Sequence, residues 1–508
     1  MQSSDVIVIG GGVNGLAAAG RLAQSGREVI VVEAAAKMGG GAETCEFHKG
    51  YWVSGLAHLL TQLDPRMEKE LDLARHGLSF AAANLKSTAL SCDGQHLVVS
   101  GPHVDGLNDA DCKAWTTLCE QLTRYADVLR PLKHMPPPRL ANASGNELVK
   151  LAKLGLSMRR MGQNKLREML RLLLINVADV LDDEINDDRL KGLVAFDSIL
   201  GSHLGPRSPN SLILLLHRLS GSPLTIPKGG MGSVAEALVR ALNALRVEMR
   251  TSTPVKSLVV VGDEVTGVEL GSGEVLRAPV VLSAINPRTT LLGLLGPRHL
   301  DTDCVRRIAH IRMRGSAVKL NLALKGKPDF LGADLRSRLV IAPSIDAVET
   351  AFNACKYGEF SPKPVMEIIL PSAFEPDVAP PGHHVLSIVA QYAPTELKEG
   401  WKTGRPKLLR ALLSRLAEYE PGIEKQIVAS ELLTPPDIEQ RYGLLGGNWH
   451  HGELAVEQML FLRPTPDTAR YATPVAGLYL GGGGSHPGGG ISGAAGWNAA
   501  NFIMQEHR

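Results

Sequence analysis

The chain opens with Asp5-Val6-Ile7-Val8-Ile9, a short apolar run of β-favouring residues that reads as a buried strand. Leu16 to Ser25 follows with leucine and alanine at helical spacing, and Gly26 stands where a helix stop belongs. Glu28 to Val32 is a second apolar strand, closed by Glu33. From about Asn84 to Ser222 the pattern changes to long leucine-rich helices. Within it, Glu147 to Leu181 carries Lys150, Lys153, Arg159, Arg160, Lys165, Arg167 and Arg171 against little acid. That is a basic amphipathic stretch, either a solvated helix face or a surface for anionic membrane. Leu212 to Leu216 reads as core.

Nucleotide-domain patterning returns at Pro227. Gly230-Met231-Gly232 opens a helix with Val234, Leu238, Ala241 and Leu245 at a 3.6-residue period. Val255 to Val261, Glu264 to Leu270 and Val275 to Leu282, separated by glycine turns, predict a β-meander. Between 291 and 440 there are several strand candidates, including Ala317 to Leu324 and Val385 to Ala390, with a helix over Pro406 to Tyr419. The C-terminus reads as a strand at Leu478 to Leu480, the glycine run Gly481 to Gly490, and a helix over Ile491 to Gln505.

At 508 residues, 44% of them hydrophobic, the chain exceeds one ordinary core, so two or more domains are expected. Lys plus Arg is 54 against 52 for Asp plus Glu, a balance that gives no reason to invoke nucleic acid. Cys45, Cys92, Cys112, Cys119, Cys304 and Cys355 are scattered without a C-x-x-C pair. Neither a redox disulfide nor a metal site is suggested, and a reducing cytoplasm fits. No signal peptide and no membrane span are expected.

The chemistry begins with Gly10-Gly11-Gly12-Val13-Asn14-Gly15, a G-x-G-x-x-G placed between strand and helix. Gly10 permits the tight turn, Gly12 lets the backbone approach a pyrophosphate, and Gly15 lets the helix pack on the strand. The helix N-terminus offers N–H groups to the anion, and Glu33 can accept from both ribose hydroxyls while repelling the extra phosphate of NADP. Lys37 to Thr44 forms a second glycine loop in reach of the same pyrophosphate. Gly230 to Ala235 formally matches G-x-G-x-x-A, yet Pro227 precedes it where a buried strand should end, so it is not read as a second site. His58, in the apolar setting Gly50 to Leu60, is either a satisfied core residue or a catalyst.

These segments resemble the phytoene desaturase-like branch of the FAD-dependent amine oxidase and carotenoid desaturase superfamily. Within it they are similar to the subfamily typified by pyridine nucleotide-disulfide oxidoreductase domain-containing protein 2. The residues that carry the resemblance are Gly10 to Gly15 with Glu33, Gly39 to Thr44, Gly229 to Gly232, and Val281 to Pro287. Gly446 to Leu454 with Gln458 and Arg463-Pro464, and Leu478 to Ala495, complete it. It implies an α/β architecture: a Rossmann-like FAD-binding domain of the GR2 or amine oxidase type and a discontinuous, mixed α+β substrate domain with a helical insert. The FAD domain is expected over 1–83, 223–290 and 441–508, and the substrate domain over 84–222 and 291–440.

The resemblance implies FAD contacts from Gly10, Gly12, Val13, Asn14, Gly15, Glu33, Ala34, Gly39, Gly40, Gly41, Ala42 and His58. Val255, Ala284, Gly483, Gly490, Ile491 and Ser492 belong to the same set, with Val255 on the adenine and the Gly490 to Gly493 segment facing the flavin ring. Lys319 is similar to the lysine that in flavin amine oxidases holds a water near flavin N5, with an outward strand residue as the alternative. For proton removal the candidates are His451, His58, His486 and Glu453. The implied activity is hydride removal from a C–H of a small or apolar substrate, with oxygen or a quinone reoxidising the flavin. A flavin amine oxidase and a non-catalytic FAD-stabilised scaffold stand as alternatives. No tyrosine follows Gly481, which speaks against the aromatic cage of true amine oxidases. The partners expected are an apolar small molecule and, at most, a peripheral membrane surface.

Overall fold

A computed structural model of the chain describes residues 4–139 and 145–507. The parts of the expected domain ranges at 1–3, 140–144 and 508 lie outside the described residues. The opening apolar run is the strand Val6–Ile9, paired in parallel with Val29–Val32 on one side and Val280–Ser283 on the other. Glu248–Arg250 and Leu478–Leu480 add the two edges of a five-stranded, all-parallel sheet.

Alternate side chains in this sheet serve two cores. Val6, Val8, Val29, Val31 and Leu282 pack with the helices Val13–Gln24, Gly232–Ala244 and Ala494–Glu506. Ile7, Ile9, Ile30, Val32 and Val281 pack against Leu258, Val265 and Val268 of an antiparallel meander. Covering on both faces is why these strands are apolar without interruption. The first helix sits close enough that a Cβ on Gly15 would lie 1.9 Å from the Gly10 carbonyl oxygen. One on Gly496 would lie 1.8 Å from the Asn14 carbonyl oxygen.

Two expected boundaries around the parallel sheet move. The meander is Val255–Val261, Glu264–Leu270 and Val275–Arg277, so its third leg stops five residues short of Leu282. Pro279 has no N–H to extend the ladder, and from Val280 the chain joins the parallel sheet instead. The last helix starts at Ala494 rather than Ile491, because Gly490 and Gly493 take positive φ values of 105° and 73° that no helix contains.

The second sheet has eight strands in the order Ile427–Leu433, Ala317–Leu324, His384–Gln391, Val365–Ile369, Arg338–Ile341, Ser87–Ala89, Leu97–Ser100 and His103–Asp105. Val318, Leu320 and Leu322 face the helix Trp401–Ala417, which begins five residues before the expected Pro406. Lys319, alternating with them, is 1% exposed, so it is not an outward strand residue. The leucine-rich stretch is a set of helices, among them Asp109–Leu129, Gly145–Arg160, Gln163–Leu174, Val177–Glu184, Asp188–Ile199 and Ser211–Leu219. They enclose a core of their own against one face of the eight-stranded sheet. No helix among the described residues is long and apolar enough to cross a membrane.

Candidate active site

A cleft of about 1330 Å³ is lined from both sheets and from the helical insert. One part of its wall is backbone. Gly10, Gly12, Val13, Asn14, Gly39, Gly40, Gly41 and Ala42 line it, and Gly12 bridges to Gly39. A Cβ built on Gly12 would meet nothing within 4 Å, so that face of the turn is open to the cleft. The helix that starts there has no side-chain cap and no acid in its first turn, which leaves its N–H groups free for an anion. Glu33 also lines the cleft, its carboxylate held by the N–H groups of Gly11 at 2.6 Å and Ala35 at 2.8 Å. An open glycine face, uncapped N–H groups and a fixed acid beside them fit a dinucleotide with free ribose hydroxyls.

Ala34, Ala284, Gly483, Gly490 and Ile491 line the same cleft. Three expected cofactor residues do not. Gly15 lies behind Gly10, packed for helix–strand contact. Val255 lies beyond the turn where Ser252 and Thr253 donate to the carbonyls of Ala35 and Glu33, and Thr251 lines the wall there. Ser492 turns inward, its hydroxyl accepting from Ala494 N–H and its carbonyl from Asp64 N–H.

The other part of the wall is charged and buried. Glu367 accepts from Arg338 Nε at 2.6 Å and pairs with His58 Nε2 at 3.1 Å. Arg338 Nη2 donates to Asp197 at 2.6 Å, and Arg218 lies 2.5 Å from the same oxygen. On the other side of the imidazole, Lys319 Nζ stands 3.1 Å from His58 Nδ1 and donates to Ser387 Oγ at 2.7 Å. Facing a carboxylate, Nε2 carries the proton, and Nδ1 accepts from Lys319 or Ser387. Both nitrogens of His58 are therefore engaged.

Burial, then the Lys319 ammonium, lowers His58 to about 4. Burial lowers Lys319 to about 7, against the pull of Glu367. Burial opposes ionisation of Glu367, yet Arg338 and His58 hold it well below the usual carboxylate range. His58 and Glu367 line the cleft, whereas Lys319 stands behind the wall and acts on it through His58 and Ser387.

His451 also lines the cleft, and its Nδ1 is buried with no hydrogen-bond partner among the described residues. Burial, with Arg463 nearby, lowers it to about 4, so at neutral pH it is an uncharged imidazole. Arg463 positions this segment by donating to the carbonyls of His450, Gly452 and Gly483, which ties the histidines to the C-terminal glycine run. The remaining two catalytic candidates face elsewhere. His486 Nε2 pairs with the Leu132 carbonyl at 2.8 Å, and Glu453 is held by Arg314 at 2.7 Å and Arg312 at 3.3 Å. Neither lines the cleft.

Asp197, Arg218, Arg338 and Glu367 were not singled out from the sequence. A signal existed for two of them, since Arg338 and Glu367 interrupt otherwise apolar strands. Arg218 stands at the end of the apolar helix Ser211–Leu219, where a basic residue is ordinary at a helix C-terminus, and Asp197 shares its helix with Asp188, Arg189 and Lys191, so nothing local marks either.

The family model of flavin-containing amine oxidoreductases matches residues 14–504. Pyridine nucleotide-disulfide oxidoreductase domain-containing protein 2 of Rattus norvegicus is 30% identical over 542 aligned positions, which cover 99% of this chain and 93% of that one. The neurosporene-forming phytoene desaturase of Cereibacter sphaeroides is 28% identical over 323 positions, 61% of this chain and 60% of that one. Among solved structures, cyclohexylamine oxidase from Brevibacterium oxydans superposes with a TM-score of 0.59 at 17% identity, covering 99% of this chain and 100% of that one, and so shares the fold. With the family model spanning nearly the whole chain and a 30% identical relative covering it end to end, the chain belongs to the flavin-containing amine oxidoreductases and is an FAD-dependent oxidoreductase.

Proposed function

We propose that the protein dehydrogenates an apolar organic substrate, taking a hydride from one carbon and a proton from its neighbour to leave a double bond. When bound, FAD supplies the two-electron acceptor. Gly10 to Asn14, Glu33 and Gly39 to Ala42 would hold its nucleotide portion, and Gly483, Gly490 and Ile491 its ring. The chain's own contribution to the chemistry is to exclude water and to remove the proton. His451 Nδ1 carries the assignment of base: it belongs to a half-buried, uncharged cleft histidine and has no partner, whereas neighbouring His450, likewise unpartnered at Nδ1, accepts from Trp449 Nε1 at Nε2 and so keeps its proton on Nδ1. His58 is a positioning residue, since both its nitrogens are engaged.

Amine oxidation is the weaker reading. The two carboxylates in this wall, Asp197 and Glu367, are both ion-paired with arginine, which leaves a wall that offers little attraction to a cationic amine. A scaffold without turnover gives no use for an unpartnered imidazole facing the cleft. The test is anaerobic mixing of the holoprotein with a panel of alkenes, saturated lipids and amines, followed at the flavin absorbance. Apolar substrates should bleach the flavin, and His451→Ala should slow bleaching by roughly 10²–10⁴-fold with FAD retained. Bleaching by amines alone would overturn the proposal. Reoxidation in air against added quinone identifies the electron acceptor.

Delivery of such a substrate is part of the same proposal. Helices Gly145–Arg160 and Gln163–Leu174 expose Leu148, Val149, Leu156, Leu170 and Leu174 beside seven basic side chains from Lys150 to Arg171. That combination suits an anionic bilayer surface. Salt-sensitive co-sedimentation with phosphatidylglycerol vesicles, and none with phosphatidylcholine, is the expected result.

A further inference from the structure

We infer that the cleft contains an acid-recognition site, in which Arg218 receives a carboxylate carried at one end of an otherwise apolar substrate. The inference rests on the oxidoreductase reading of the same cleft and specifies the substrate class.

It follows from which hydrogen-bonding groups of the charged wall are already engaged. Three of the four carboxylate oxygens are occupied, and Asp197 Oδ2 is the exception. Asp197 Oδ1 takes both Arg338 at 2.6 Å and the contact from Arg218, while the two oxygens of Glu367 face His58 and Arg338. Each nitrogen of Arg338 has a partner, Glu367, Asp197 or, at 3.4 Å, Ser87. Arg218 is different. Its Nη1 is ion-paired with Asp197 Oδ1 at 2.5 Å, off the line of an ideal hydrogen bond, while its Nε and Nη2 donate to no described residue. The contact is one of charge rather than alignment. The side chain keeps 19% of its surface accessible and lines the cleft.

A buried guanidinium with undirected N–H groups is destabilising unless something else completes it. Its planar fork matches a carboxylate through two parallel hydrogen bonds, which an alcohol cannot supply and an ammonium would oppose. Leu200, Leu214 and Leu224 line the same cleft and would receive the apolar body.

The test is calorimetric titration of the holoprotein with straight-chain carboxylates from butanoate to dodecanoate, each compared with the alcohol and the amine of equal length. The best carboxylate should bind roughly tenfold or more tighter than its alcohol and its amine. Arg218→Met should reduce the carboxylate to the level of the alcohol and leave alcohol binding unchanged, which also shows that the cleft has kept its shape. Arg218→Lys, which keeps the charge without the fork, should recover only part of the preference. Equal binding of acid and alcohol, tightest binding of the amine, no binding by any of the three, or equal losses for acid and alcohol in Arg218→Met would each overturn the inference. Calorimetry needs no turnover, so these results stand apart from failure of the dehydrogenase reading, which would show as flavin that no substrate bleaches.

Discussion

Around Gly12 the cleft wall is peptide: glycines, an uncapped helix start, and a carboxylate pinned by two N–H groups. Around Glu367 it is side chain: two arginines, two acids, a lysine and a histidine brought from six segments far apart in the chain. The two regions fail for different reasons. A backbone wall is indifferent to charge and sensitive to added volume, while a charged wall tolerates little change in charge and responds to pH.

The largest effect on stability is expected at Gly15, where a methyl group would meet the Gly10 carbonyl oxygen at 1.9 Å. Gly15→Ala should cost roughly 3 kcal/mol or more in chemical denaturation, as an overpacked contact between backbones that cannot yield. A stable Gly15→Ala protein would show that strand and helix are free to part.

Next is Arg338→Met, which leaves Glu367 and Asp197 buried with fewer counter-charges. A loss of about 3–5 kcal/mol is expected, as for removal of one partner from a buried ion pair. A near-neutral result would mean that water enters this wall and the contrast with the glycine region is false.

Third, Lys319 ties the charged wall to pH. Its folded value, about 7, lies below the ordinary 10.5, so between those limits the unfolded chain binds the extra proton. The penalty is fully present below pH 7 and disappears as pH rises to 10.5, so wild-type stability should rise across that window. Lys319→Met should flatten that rise and raise stability at pH 7 by a few kcal/mol on the order of the shift. Because the ammonium also lowers His58, the same variant should move His58 up from about 4 in an NMR titration. An unchanged slope and an unchanged His58 would place the lysine's charge outside the wall.

The smallest effect on stability sharpens the contrast most. Gly12 has φ −69° and ψ 172°, which any residue adopts, and open space where a Cβ would point. Gly12→Ala should change stability by less than ~1 kcal/mol while abolishing FAD retention, read as loss of the flavin spectrum. Full flavin occupancy in Gly12→Ala would mean that nothing approaches that glycine.

The difference between the regions also sets what could be read in advance. Gly10 to Gly15, Glu33 and the glycine runs are local signals, because a turn, a helix start and a strand end each involve residues close in sequence. The same locality made Val6–Ile9, Ala317–Leu324 and Leu478–Leu480 legible. Where two sheets competed for one apolar run, at Val275 to Leu282, local pattern could not divide it, and the break at Pro279 became visible only with the pairing.

The charged wall had no such local grammar. The sequence leaves the direction of Lys319 open, and tertiary structure turns it inward against His58 and Ser387. Arg218 and Asp197 resemble ordinary helix-surface residues until the eight-stranded sheet places Arg338 and Glu367 beside them. The sequence by itself determined the backbone cradle, since peptide geometry depends on neighbours along the chain. Which charges are buried together, and which nitrogen is left without a partner, only the fold decided, because burial and pairing depend on residues from separate elements that meet only in the folded chain.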